Sequence, residues 1–385
     1  MRKDYFLIGL GVRLLMLLIF IYVNEDEVYN DASEIIYQAL QELLGGRNPY
    51  SKSEYFLAWG NSQFSQPFNY GPVTLLVYLP AMLIPIWYNN LWIGMAIMIN
   101  VYSFLIGEYV SKIGSCDRKC QKNAQISHIE KDPRENQLLY YGGIFFWIIP
   151  VGTTCITVFI YAPILLTVLA FDKLKNPILS SLCITLAAMS YQLIYLFVPI
   201  YAVYHMKKGL KDFGFFILGA LPAIFIGLIF IFWPSGGFIE SLFTYSSNMP
   251  YNKCPSCGND FDAWSVFSIP RILFNISGRS IQIGPEARLF MFFILGVICV
   301  VYLFTKRFDS YEEWFLIKYF ILSVILFTLT TNYGQSHYLI FLFIPLLYYF
   351  QMKKPDFHKQ YPIGAGMWSW EDFDKYYSKY HKVAL

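Results

Sequence analysis

A chain of 385 residues that is 56% hydrophobic, 19% aromatic and 14% charged departs far from the roughly 25% charge of an ordinary soluble domain. Its apolar runs recur at about the 20-residue length that crosses a bilayer, which excludes a water-soluble globular protein and points to a polytopic membrane protein. The net charge of +3 says little as a total, and no basic patch suited to nucleic acid stands out; the placement of Lys and Arg along the chain carries the information.

The first apolar run, 5–23, has Arg2, Lys3 and Arg13 near its start and no small-residue cleavage pattern after Tyr22. It reads as a retained first span whose start lies inside. A large first outer loop, 24–90, follows. Its polar part carries Glu25, Asp26, Glu27, Asp31, Glu34, Glu42 and Glu54 against Arg47 and Lys52, the balance expected of an outside loop. Within it, Ile35, Ile36, Leu40, Leu43 and Leu44 form a helix-periodic apolar stripe beside Asp31, Glu34 and Tyr37. That spacing predicts a juxtamembrane helix with its stripe buried and its acids on one side.

The stretch 70–88 decides the side of every later loop. If it spans, the basic loop 112–137, the Lys207-Lys208-Lys211 group, Lys306-Arg307 and Lys353-Lys354 all lie outside. If it dips in and returns, all four lie inside; Pro72, Pro80 and Pro85 favour this by removing helix donors and kinking the path. The positive-inside rule selects the re-entrant hairpin.

With that parity the later spans fall near 91–111, 138–151, 154–171, 177–189, 191–204, 213–232, 288–305, 314–331 and 338–351, about ten with the first. Region 177–204 reads as two short helices, because one span would set Lys173 and Lys175 opposite Lys207 and Lys208. Polar turns then point outward at Gly152-Thr153-Thr154, at Ser190-Tyr191-Gln192 and at 330–337, as the floor of a funnel. A second outer loop, 233–287, holds Cys254-Pro255-Ser256-Cys257, Asp260, Asp262, Arg271, Arg279 and a glycosylation-type Asn275-Ile276-Ser277. On the outer face Cys254 and Cys257 are a candidate local disulfide, with a redox or metal site as the second reading. Cys116 and Cys120, with His128 nearby, sit inside as thiols, since zinc would need a further ligand. The single Cys155, Cys183 and Cys299 in apolar runs read as core packing. The cytoplasmic tail, 353–385, carries Trp368 and Trp370 and suits the inner membrane surface. The expected architecture is thus an all-α, multi-pass membrane protein forming a single transmembrane domain, 1–385.

Asp31 and Glu34 are the candidates for chemistry, because a carboxylate beside an apolar cavity can act as a general base toward a hydroxyl. From spacing alone, a solvated acidic face, or Asp31 capping the helix after Asn30, is the simpler account.

The segment Asp31-x5-Tyr37-x2-Leu40-x2-Leu43-Leu44-Gly45-Gly46-x-Asn48-Pro49-Tyr50, followed by Tyr70-Gly71-Pro72 and an apolar hairpin, resembles the first outer loop of the GT-C superfamily of membrane glycosyltransferases. In particular it is similar to the mannosyltransferases that use polyprenyl or dolichyl phosphate mannose. The turn after residue 330, followed by His337-Tyr338-Leu339 and Pro345, resembles that family's late element. The resemblance implies an inverting transfer of a sugar, with mannose as the candidate, from a polyprenyl-phosphate donor to a hydroxyl of a glycan or glycolipid acceptor. The active site would face the extracytoplasmic or lumenal side, with no cofactor and no metal. Asp31 would be the base, with Glu34 and Asp26 in reserve. The sequence departs from the family at Gly152-Thr153-Thr154, where a charged residue is common.

The departing lipid phosphate needs fixed positive donors, and Arg271, Arg279, Arg47 and His337 are the candidates. An interfacial cation meeting lipid headgroups is an equally simple account of each arginine, and a structural hydrogen bond is the alternative for His337. Tyr37, Asn48, Tyr50, Tyr70, Gln192 and Gln335 are the candidate pocket residues. A lipid-sugar flippase or transporter, and a ligase or polymerase of lipid-linked glycans, are the competing functions. A transporter should show internal repeats and ionisable groups at mid-membrane, whereas the acids here cluster outside.

Overall fold

In a computed structural model the described residues are 7–8, 11–12, 15, 31–51, 55–59, 62–82, 97–98, 100–102, 104–107, 161–234, 236–244, 276, 285–304, 312–330 and 341. They are mostly helical. The segment 24–90 contributes α1 (Asp31–Leu44), strands β1 (Tyr55–Trp59) and β2 (Ser62–Gln66), and α2 (Pro72–Met82). Then come α3 (Tyr161–Asp172), α4 (Pro177–Ala188), a 3₁₀ turn (Gln192–Leu196), α5 (Val198–Lys208) and α6 (Leu210–Phe232). A π-helical turn (Glu240–Thr244), α7 (Pro285–Phe304) and α8 (Glu312–Thr330) complete the described elements.

The antiparallel hairpin is an addition to the helical architecture expected from the sequence. Its register sets Tyr55 opposite Gln66, Leu57 opposite Phe64 and Trp59 opposite Ser62. Aromatic and branched residues favour the pleat, and Gly60-Asn61 between the strands is a two-residue hairpin signal. Residues 83–88 of the 70–88 stretch, the loop 112–137, the turn 152–154 and the tail 353–385 lie outside the described residues.

Region 177–204 does break in two. Asn176 caps α4 through Oδ1, which accepts from the Leu179 N–H at 3.2 Å, and Pro177 takes the first helical position. Pro199 stands in the first turn of α5, which begins at Val198, where its missing N–H costs no helix hydrogen bond. Between them the chain turns through Met189, Ser190 and Tyr191.

Helix α6 is long and apolar enough to cross a membrane, with a mean hydropathy of 2.7; α2, α3, α4 and parts of α7 and α8 are shorter apolar helices. In α6, Gly219, Ala220, Ala223 and Gly227 are buried between Phe216 and Phe230, while Leu218, Leu221, Phe225, Leu228 and Phe232 are exposed. The small face packs against α4. A Cβ on Gly219 would stand 2.2 Å from the Ile178 carbonyl oxygen, and Ser181 Oγ donates to the Phe216 carbonyl at 2.5 Å. Small residues spaced by four let two helix backbones approach, and in an apolar solvent that approach, not area burial, holds helices together.

Helices α4 and α6 run in the same direction, with Ile178 near Gly219 and Met189 near Gly227. The bundle therefore has two distinct ends. One, the docking end, carries Met189, Ser190 and the close of α6. The other, the lysine end, carries Lys173 and Lys175 after α3 and Lys207, Lys208 and Lys211 at the α5–α6 junction. Between the ends the core is aromatic: Phe320 stacks on Phe197 with ring centres 3.7 Å apart and meets Phe171 edge-on.

Candidate functional site

The stripe predicted for α1 is where the chain buries it. Ile35, Ile36, Ala39 and Leu40 are all 0% exposed and the helix lies against β1 and α2. Its last member, Leu44, is exposed. Asp31 is the first residue of the helix; its side chain lies outside the described set. Glu34, one turn later, is half-buried and accepts from Gln38 Nε2 at 2.7 Å. Tyr37 is half-buried against the core.

The helix ends on Gly46, whose φ of +73° places it in the left-handed region that glycine takes without strain. The Arg47 N–H then reaches back to the Glu42 carbonyl at 2.9 Å. This reversal lays the exposed Arg47 guanidinium on the Glu42 carboxylate. That hydrogen bond, with the charge behind it, raises the arginine's pKa further. As a phosphate-binding candidate, Arg47 is thus placed outward and already paired.

Asn48, Tyr50, Tyr70 and Gln192 are brought together. Asn48 Oδ1 accepts the Tyr50 N–H at 3.0 Å, and Tyr50 OH donates to the Tyr70 carbonyl at 2.7 Å. Gln192 Nε2 donates to the Asn69 carbonyl at 2.9 Å. Gly71 and Val73 give their N–H groups to the Ser190 and Met189 carbonyls, at 3.2 and 3.0 Å, and Thr74 Oγ1 adds a bond to the Ser190 carbonyl at 2.9 Å. A Cβ on Gly71 would sit 2.0 Å from the Met189 oxygen. The Tyr70-Gly71-Pro72 segment is therefore docked, backbone on backbone, onto the polar turn that follows α4.

Tyr50 also fastens this corner to the close of α6 and the segment that follows it. It is 3% exposed, with its ring against Phe68, Phe230 and Phe238 at 5.2, 5.5 and 4.9 Å. A Cβ on Gly237, at φ +119°, would stand 2.3 Å from the Tyr50 carbonyl oxygen. Burial pushes the Tyr50 phenol well above its ordinary range, and burial raises the Tyr55 phenol too. Both stay protonated donors at neutral pH; Tyr55 OH donates to the Pro49 carbonyl at 2.6 Å.

Four of the pocket residues read from the sequence thus serve as the frame of the site, Asn48, Tyr50 and Gln192 through side-chain bonds to backbone and Tyr70 through its own carbonyl. Two buried polar atoms at this end have no hydrogen-bond partner: Asn48 Nδ2 and Asn69 Oδ1. The sequence reading missed Asn69, Gly237 and Glu240. Glu240 joins Ile231, Gly237, Phe238 and Ile239 in lining a cleft of about 340 Å³, the volume of a small ligand site. The Gly236-Gly237 pair just after Trp233-Pro234 was the available signal. Asp26, Arg271, Arg279, Gln335, His337, Cys254 and Cys257 lie outside the described residues. Among the described residues no cluster of three metal-ligating side chains occurs.

No family model matches this sequence, and no curated protein or solved structure is found similar to it.

Proposed function

We propose that the chain is a polytopic membrane glycosyltransferase of the GT-C type, transferring a sugar from a polyprenyl-phosphate donor to an acceptor hydroxyl at the docking end, which faces outward. The observation that carries this reading is the seating of Tyr70-Gly71-Pro72 on the 189–192 turn. It fixes the acid-bearing first outer loop against a second polar turn and against the start of the loop after α6. Transfer between two bound molecules needs reacting atoms held within a few tenths of an ångström, and backbone-to-backbone docking supplies such a frame.

The membrane part of the reading draws support from α6, where Leu218, Leu221, Phe225, Leu228 and Phe232 face outward while Gly219, Ala220, Ala223 and Gly227 face protein. Water would not tolerate an apolar face of that length. The lysines at the opposite end agree with that end being cytoplasmic.

In the mechanism, Asp31 takes the acceptor hydroxyl's proton, the oxygen attacks the anomeric carbon with inversion, and the lipid phosphate leaves with the bonding pair. Glu34 sits three residues along the same helix, and Gln38 holds its carboxylate. In proteoliposomes with radiolabelled polyprenyl-phosphate mannose, Asp31→Asn should lower transfer at least about 100-fold while the protein stays folded. Full turnover in that variant would move the base to Glu34 or Asp26, and full turnover in all three single variants would sink the mechanism.

A further inference from the structure

The cleft after α6 is not used by the transfer mechanism. It lies at the docking end, where Ile231, Gly237, Phe238, Ile239 and Glu240 line about 340 Å³. Two members of its wall are held by Tyr50: Phe238 meets the Tyr50 ring edge-on at 4.9 Å, and Gly237 lies against the Tyr50 carbonyl. Phe238 is buried and also stacks toward Phe230 of α6, with ring centres 6.5 Å apart. A cleft whose wall is already packed is a preformed site, and its volume falls in the range of small-ligand sites.

Glu240 sets the chemistry of an occupant. It is exposed and opens the π-helical turn, and among the described residues no hydrogen bond or ion pair engages its carboxylate. The described arginine of this corner, Arg47, is held by Glu42. The other residues that line the cleft are apolar or glycine. A phosphate placed beside this carboxylate is repelled, whereas a cation that donates N–H bonds is held.

Ile231 is also the end of an apolar row on α6. Ile217, Leu221, Ile224, Leu228 and Ile231 recur at the four-and-three spacing of one helix face, and all five are exposed. From Ile217 to Ile231 the row rises about 21 Å at roughly 1.5 Å per residue, more than the roughly 15 Å of hydrocarbon in one leaflet. The row therefore runs into the cleft, apolar along its length and ending near a carboxylate. A molecule matched to both parts has a positively charged head and a long apolar chain.

We propose that the cleft seats the primary-ammonium headgroup of a zwitterionic phospholipid, with an acyl chain along the Ile217–Leu221–Leu228–Ile231 row of α6. The ammonium N–H groups donate to the Glu240 carboxylate, and the lipid phosphate lies toward solvent. The same carboxylate turns away a polyprenyl phosphate, which has no cation of its own to set between the two anions, so this seat is separate from the donor's. A seated lipid braces Gly237 and Phe238, which hold Tyr50, and so stabilises the docking corner. The proposal rests on the membrane reading above and not on the transferase chemistry.

The test uses the full chain purified in a neutral detergent and offered equal amounts of phosphatidylethanolamine, phosphatidylcholine, phosphatidylglycerol and a monohexosyl diacylglycerol with identical acyl chains. Bound lipid is counted by native mass spectrometry. Wild-type protein should retain phosphatidylethanolamine at least about tenfold over each of the others, since only its head joins N–H donors to a positive charge. Glu240→Gln should bring the lipids to near parity, and Glu240→Asp should keep most of the preference. Leu221→Ser with Leu228→Ser should weaken retention of every lipid and leave the order among them. Added phosphatidylethanolamine should raise the thermal unfolding midpoint of wild type and not that of Glu240→Gln. Equal retention by wild type, or an unchanged preference in Glu240→Gln, would overturn the proposal. So would a preference for the hexosyl lipid, which would make the cleft a sugar seat, or displacement of the lipid by millimolar ethanolamine alone, which would make it a site for a free amine. A chain recovered wholly without detergent overturns the membrane reading together with this site; a detergent-requiring chain without lipid preference overturns this site alone.

Discussion

The two ends of the helix bundle are held by different physics. At the docking end backbone meets backbone: Gly71 against Met189, Gly237 against Tyr50, with N–H groups of one segment on the carbonyls of another. At the lysine end long side chains rest on aromatic faces. Backbone contact has no slack, because neither partner can rotate away, whereas a lysine over a ring can swing through several ångströms at little cost. The first arrangement fixes a geometry; the second lets its side chains move.

The largest effect expected from breaking the contrast is at Gly71. In Gly71→Ala the new methyl meets the Met189 carbonyl at 2.0 Å, a backbone atom that cannot turn aside. The segment must lift from the turn, loosening the Gly71–Ser190 and Val73–Met189 hydrogen bonds, at a cost of about 3 kcal/mol, the upper range for overpacking. Thermal unfolding in detergent should show it as a fall of several degrees. Gly214→Ala, on α6 near the lysine end, is the control, since nothing lies within 4 Å of its Cβ position. There alanine's better helix propensity should leave the protein unchanged or stabilise it by up to about 1 kcal/mol. Equal melting of the two variants would mean that the docking end is not held by close backbone contact.

Next in size is the buried hydroxyl pair Thr74 and Ser190. Their Oγ atoms are 3.1 Å apart and both residues are 0% exposed. Thr74→Val should cost about 1–2 kcal/mol, because it leaves the Ser190 hydroxyl buried without its partner. Adding Ser190→Ala should recover part of the loss, since removing both partners costs less than orphaning one. A strictly additive double mutant, read by denaturant titration, would show that the pair is not coupled.

How legible these ends were in the sequence follows from the same distinction. The apolar stripe of α1 was readable because periodicity alone specifies which face is buried, and Ile35, Ile36 and Leu40 are fully buried. The break between α4 and α5 was readable from charge placement, since lysines after α3 and after α5 had to share a side. The hairpin at 55–66 was passed over because an acidic, apparently irregular loop masked its Gly60-Asn61 turn. The roles of Tyr50, Tyr70 and Gln192 were read as pocket lining because a polar residue in a loop is ambiguous until its partner is known. Tyr50 OH and Gln192 Nε2 donate to the carbonyls of Tyr70 and Asn69, 20 and 123 residues away, and no local pattern encodes a pairing that distant. Gly71 and Gly237 share this limit: glycine signals close approach, and only the fold says to what.

The smallest expected effect lies at the lysine end and sharpens the comparison from the other side. Lys208→Gln removes one ammonium from the Tyr204 ring and one cation from the last turn of α5, where the helix carbonyls favour positive charge. Lys208 is exposed, so water and salt screen both contributions, and the loss should stay near 0.5 kcal/mol, well under about 1. Lys208→Arg should lose nothing, because a guanidinium also lies flat on a ring. If Lys208→Gln lowered the melting temperature as far as Gly71→Ala does, the lysines would be structural fasteners. Their aromatic contacts would then hold the bundle together, and the difference between a fixed end and an adaptable end would disappear.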